Sequence, residues 1–263
     1  MAAIGGERRK GYMRLWTPAV LFFVVAAAQA DPSPRPAVEA IPEKVPAVVA
    51  SLDSAELADF DANPRSIRDL VEKCLALTRQ KLFYKYGSSD PAEGGMDCSG
   101  TIFHVLKDSG LKDAPRTASG QYVWARKADN FEAVVSRKKD SFELENLRPG
   151  DLLFWTGTYS TERDPPVTHT MIFLGKRKRD GLQVMFGASD GRSYDGKRMN
   201  GVSVFDFTLP KAPSKTASSS GPGSVFIGYA NIPGLEGKDS VEVDVPLGNE
   251  SGSTDLPEPA NRD

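Results

Sequence analysis

The apolar residues of this chain change their period partway along, and that change fixes the kind of fold. Ile67, Leu70, Val71, Cys74, Leu75, Thr78 and Leu82 recur at three- and four-residue steps, the buried stripe of one helix. Asn63 and Pro64 precede the stripe as an N-cap and a proline at the first helical position, so the helix is expected to start there. A second helix is expected over 98–109, stopped by Gly110. From Leu147 onward the apolar runs are short and strand-like: 152–155, 171–174, 182–186, 202–207 and 225–229. Helices first and strands afterwards is an α+β pattern.

Around that body the composition shifts. Arg8, Arg9, Lys10 and Arg14 lead into an apolar run over 15–28, followed by Ala28-Gln29-Ala30. The run is shorter than the roughly 18–20 residues a bilayer span needs. Residues 1–30 are therefore expected to be a cleaved secretory signal, leaving an exported protein, periplasmic or extracellular, with no stable membrane anchor. No cysteine follows the signal to carry a lipid. Residues 31–59 are expected to form a proline-rich linker, 60–233 the folded domain and 234–263 a disordered acidic tail. The stretch 211–224, KAPSKTASSSGPGS, is expected to be a long loop between two strands. The chain has a formal net charge of −2, and losing four basic residues and one acidic one with the signal brings it to about −5. A nucleic-acid binder would carry a basic footprint instead.

Candidate chemistry narrows quickly, because the chain has only two histidines. A thiol or hydroxyl nucleophile ordinarily needs an imidazole base. His104 lies six residues past Cys98 on the same predicted helix, about a third of a turn off its face, and cannot reach that thiol. His169 opens an alternating strand, where a rigid element can project it into a cleft. Cys98 follows a polar, glycine-containing loop and heads a helix. There the helix dipole and a neighbouring imidazolium are expected to activate the thiol. Cys74 falls on the apolar stripe and reads as a small core residue, and both thiols are expected to be free. No H-E-x-x-H, paired-cysteine or G-x-x-x-x-G-K-[ST] motif occurs, so neither a metal nor a cofactor is expected.

Tyr86-Gly87, Asp97-Cys98-Ser99-Gly100, Pro115-Arg116-Thr117 with Gln121, 147–152 as LRPGDL, and His169 with 172–175 as IFLG follow one another in a set order. Together they resemble the motifs of NlpC/P60 peptidases, over roughly residues 67–207. The resemblance implies a papain-like α+β fold, with the nucleophile helix packed on an antiparallel sheet. It implies Cys98 as nucleophile, His169 as base, and Tyr86 with the Cys98 backbone amide at the oxyanion. It places Asp97, Ser99 and Thr117 in the pocket for the substrate's free amino end, although Asp97 also reads as a helix N-cap. The implied substrate is a peptidoglycan stem peptide, cut between D-glutamate and a diamino acid. An amidase cutting between muramic acid and L-alanine, or a catalytically silent wall-binding protein, are the alternatives. One departure stands out. Gly187 falls where the family presents a third polar residue, most often histidine, leaving Ser189, Asp190 or a backbone carbonyl to orient the base.

Overall fold

A computed structural model describes residues 47–209 and 223–235. The expected signal at 1–30, most of the insertion at 211–224 and nearly all of the tail at 234–263 lie outside these residues.

The helices are α1 (Arg65–Thr78), α2 (Cys98–Asp108) and α3 (Ala118–Lys127). The strands are β1 (Phe83–Tyr84), β2 (Gly95–Met96), β3 (Phe131–Ala133), β4 (Leu152–Thr156), β5 (Val167–Lys176), β6 (Gln183–Ser189), β7 (Ser193–Tyr194), β8 (Lys197–Arg198), β9 (Gly201–Asp206) and β10 (Val225–Ala230). Six of them form one antiparallel sheet in the order β3-β10-β4-β5-β6-β9. The α+β expectation is met, and all five predicted strands join this sheet.

Strand alternation divides the core into two layers. Leu152, Phe154, Ile172, Leu174, Val184 and Phe186 face the helices, against the stripe of α1 and Ile102 and Leu106 of α2. Leu153, Trp155, Met171, Phe173, Met185 and Phe205 form a second layer on the opposite face. Strand β5 is buried for nine of its ten residues, and its second half, Met171 to Leu174, runs apolar without a polar alternate.

Three details of the chain path differ from expectation. The folded body starts well before residue 60. The Val48 carbonyl accepts from Asn200 N, Ala50 N donates to the Ser203 hydroxyl, and the Ala50 carbonyl accepts from Val204 N along the edge of β9. Leu52 and Leu57 are buried, and Ala58 N donates to the Lys176 carbonyl. The expected linker read as proline-rich, but its last apolar residues cover an open sheet edge, which would otherwise invite pairing. Second, Asn63 does not cap α1. Its side-chain amide donates to the Asp59 and Phe60 carbonyls, closing the preceding turn, and Pro64 stands at the N-cap with extended backbone. Third, α3 was not predicted, because it buries only Ala118, Gln121 and Ala125 and shows no apolar face.

Candidate active site

Asp97 fixes the start of α2. Its Oδ1 accepts from Gly100 N at 2.6 Å and from the Ser99 hydroxyl, and its Oδ2 accepts from Gly87 N at 2.9 Å. Arg116 grips the same carboxylate through both terminal nitrogens, at 3.1 and 2.8 Å. Gln121 of α3 donates to the Ser99 and Pro115 carbonyls, tying the second and third helices together at this point. Asp97→Ala removes the cap and leaves Arg116 without its partner, so a loss of about 2–3 kcal/mol is expected in urea unfolding. Asp97→Asn, which retains the cap, should lose less.

This scaffold delivers Cys98 to β5. The thiol is 6% exposed and its Sγ lies 3.9 Å from the Thr168 carbonyl. Thr168 is the extra residue of a β-bulge, since β4 and β5 pair Trp155 with His169 and then Thr156 with Val167. Bulges recur beside active sites because they redirect one residue of a ladder. Cys98 is thus pressed against the backbone immediately preceding His169. Both cysteines are free, and Cys74 is in the core as its position on the stripe implied.

The electrostatics differ from the sequence expectation of an activated thiol. Burial, helped by the neighbouring Asp97 carboxylate, pushes the Cys98 thiol up to about 11. The Thr170 and Ser99 backbone and Arg116 pull the other way and do not prevail. Burial also holds His169 well below the ordinary histidine range, and the Arg192 guanidinium adds to that depression. The helix dipole and a charged imidazole can lower a thiol only where water or an ion pair solvates the thiolate, and here the resting pair is neutral.

Arg192 is the residue that sequence reasoning missed. Its Nε donates to His169 Nε2 at 3.3 Å, and its guanidinium stacks 4.2 Å from the centre of the Trp155 ring. Trp155 in turn meets His169 edge-on at 5.6 Å. Gly187, the position noted for its missing side chain, is closed off: an added Cβ would come within 2.9 Å of Met171 Cγ. Ser189 Oγ accepts from Gly191 N and the Asp190 carbonyl accepts from Arg198, and among the described residues neither side chain bonds the imidazole. The third partner of His169 is therefore a cation reaching back from the loop after β6, and it is a donor.

The remaining expected residues divide. Tyr86 is 73% exposed, whereas Tyr84 lines the cleft beside His169. The ladder between β1 and β2 ends at Tyr84 and Met96, and a turn closed from Ser88 N to the Lys85 carbonyl leaves Tyr86 outside. Tyr86 thus lies away from the cleft, whereas Tyr84 and Tyr159 are tyrosines close enough to Cys98 to be acted on by it. Burial, with Cys98 and Asp97 nearby, raises the Tyr84 hydroxyl pKa, so it remains a donor. Ser99 is buried between Asp97 and Arg116, and Thr117 caps α3 through Gly120 N. The cleft itself encloses about 830 Å³, bounded by Tyr84, Tyr159, His169, Ser189, Asp190 and Arg192.

A buried cysteine heading a helix, set against the histidine-bearing strand of an antiparallel sheet, is the architecture of the papain-like α+β class. Residues 81–197 match the model of the NlpC/P60 family. It is also 29% identical over 144 residues to a gamma-DL-glutamyl hydrolase of Bacillus subtilis (strain 168). That alignment takes in 55% of this chain and 28% of the relative, so the chain spans little more than a quarter of the relative's length.

Proposed function

We propose that this chain is an exported cysteine peptidase that cleaves γ-D-glutamyl amide bonds in the stem peptides of peptidoglycan. The observation that carries this reading is the placement of Cys98 Sγ against the strand backbone at His169, at the head of a capped helix beside an 830 Å³ cleft. In the proposed reaction His169 takes the thiol proton as the sulfur attacks the scissile carbonyl. The imidazolium returns it to the departing amine, and water then hydrolyses the thioester. The Cys98 backbone amide and Tyr84 are the proposed oxyanion donors, and such donors are worth ~3–4 kcal/mol to the transition state. The glutamyl preference is supported by what the Bacillus relative is named for. Asp97, Ser99 and Thr117 are assigned to the framework around the substrate's amino end, with the Asp97–Arg116 pair setting its charge. A location outside the cytoplasm, next to the wall, follows from the substrate and from the signal expected at 1–30.

The donor character of Arg192 favours a second reading, a silent wall-binding protein. Incubation with purified sacculi, followed by mass spectrometry of the soluble products, separates the readings. The peptidase releases peptides that begin with a newly freed diamino-acid amine and leaves L-Ala-D-Glu, ending in a γ-carboxyl, on the glycan. Release of intact stems beginning with L-alanine would indicate the amidase, and no release at all would leave only binding.

A further inference from the structure

Among the described residues, no carboxylate pairs with Arg192. Only its Nε donates to a described residue, and that bond goes to a neutral imidazole. Asp190 and Asp206 share the cleft wall, yet among the described residues neither carboxylate bonds Arg192 or shifts it. Burial lowers the guanidinium to about 10, which reflects the cost of holding an unpaired charge there. Stacking on Trp155 fixes the plane of the guanidinium and leaves its outer edge available. That edge is a rigid fork matched to a carboxylate, which accepts two parallel N–H bonds from it.

The bond to His169 has a chemical consequence. With Nε2 accepting from Arg192, the neutral ring carries its proton on Nδ1. Neither nitrogen is then free to take a proton from Cys98. The charged and titratable groups near the imidazole are Arg192 from the loop after β6 and Cys98 from α2, with Tyr84 and Asp190 on the same cleft. Of these, only Arg192 bonds the ring.

We propose that Arg192 is the specificity-determining residue of this cleft: it receives the free α-carboxylate of a γ-linked glutamyl substrate and in doing so releases His169, so that the base becomes competent only when such a substrate is bound. The inference rests on the peptidase reading above and extends it. A γ-linked glutamate keeps its α-carboxylate four carbon–carbon bonds from the scissile carbonyl, about 5 Å when extended. A carboxylate held at Arg192 would carry the scissile carbonyl toward Cys98, whose ionised form is close enough to act on the guanidinium. Once the guanidinium turns to the carboxylate, the ring proton can move to Nε2 and Nδ1 can accept from the thiol. A substrate lacking the carboxylate leaves Arg192 on His169.

The probes are the tripeptide L-Ala-γ-D-Glu-L-Lys and its counterpart with the glutamyl α-carboxylate converted to carboxamide. Wild type is expected to prefer the acid by about 10- to 100-fold in kcat/KM, the scale of one charge-assisted pair. Arg192→Gln should bring that ratio near one, with Arg192→Lys in between because it keeps the charge without the fork. The second measurement is NMR titration of His169 in the Cys98→Ala protein, which cannot turn substrate over. There the acid tripeptide should raise the His169 pKa and the carboxamide should not, and in Arg192→Gln the pKa should be raised with no peptide present. Equal rates on both peptides, an acid preference surviving in Arg192→Gln, or a His169 titration indifferent to the acid would overturn the proposal. Absence of hydrolysis on either peptide would count against the peptidase reading alone, and the titration would still decide the role of Arg192.

Discussion

Cys98→Ala is expected to bring hydrolysis of the acid tripeptide to background, a fall on the order of 10⁶ in kcat, the scale seen when a covalent nucleophile is removed. His169→Ala should lower kcat/KM by about 10²–10⁴, the contribution of one positioned base. The pH profile carries more information than either loss. Protonating His169 disables the base, and the ring is held well below the ordinary histidine range. The acid limb of kcat/KM, which reports the free enzyme, should therefore lie below pH 6.5. At the alkaline end the thiol, pushed up to about 11, remains protonated through neutrality. The resting thiol should accordingly alkylate more slowly than a free cysteine at pH 7, and faster when the acid tripeptide occupies the Cys98-containing protein with His169 released. An acid limb at or above 6.5 in wild type, or full activity in Cys98→Ala, would remove the basis for the cysteine–histidine mechanism. In Arg192→Gln the acid limb should move upward, because the cation that depresses His169 is gone.

What could be read from the sequence was whatever periodicity or local backbone chemistry dictates. The α1 stripe, the cysteine-headed α2 and the five sheet strands are regular elements whose apolar residues repeat with the structure's own period. Helix α3 escaped because polar contacts dock it: the Ser119 hydroxyl on the Val167 carbonyl, and Gln121 on the start of α2. Nothing in ASGQYVWARK repeats like a buried face. The choice between Tyr84 and Tyr86 was invisible for another reason. Strand alternation puts both on one side, and only the turn at Gly87, with φ of 82°, separates them. Arg192 was illegible because its role depends on reach. A third partner is expected as an acceptor at a fixed strand position, whereas the structure fills that position with Met171 and brings in a donor from the following loop.

The motif Asp97-Cys98-Ser99-Gly100 can be tested at its least reactive member. Gly100→Ala would normally stabilise a helix by about 1 kcal/mol. Here the added Cβ would lie 2.1 Å from the Ser88 carbonyl oxygen, 2.9 Å from Arg116 Nη2 and 3.0 Å from Asp97 Oδ1. The Ser88 carbonyl is itself committed, accepting from Asp97 N at 3.1 Å, so it cannot retreat without opening the cap. Glycine is required at this position by close approach, not by backbone angle. The substitution must push the loop carrying Gly87 and Ser88 away from the first turn of α2, or push the turn away from the loop. We expect destabilisation on the order of 3 kcal/mol in urea unfolding, reversing the helix-propensity gain. Displacing the Cys98 end of the helix by about 1 Å should also cost roughly 100-fold in kcat/KM, even under conditions where the variant is fully folded. An alanine variant as stable and as active as wild type would show that the loop and the helix do not meet as tightly as this geometry requires. The aspartate that caps, the cysteine that reacts and the glycine that admits the loop would then be independent features, not one rigid assembly.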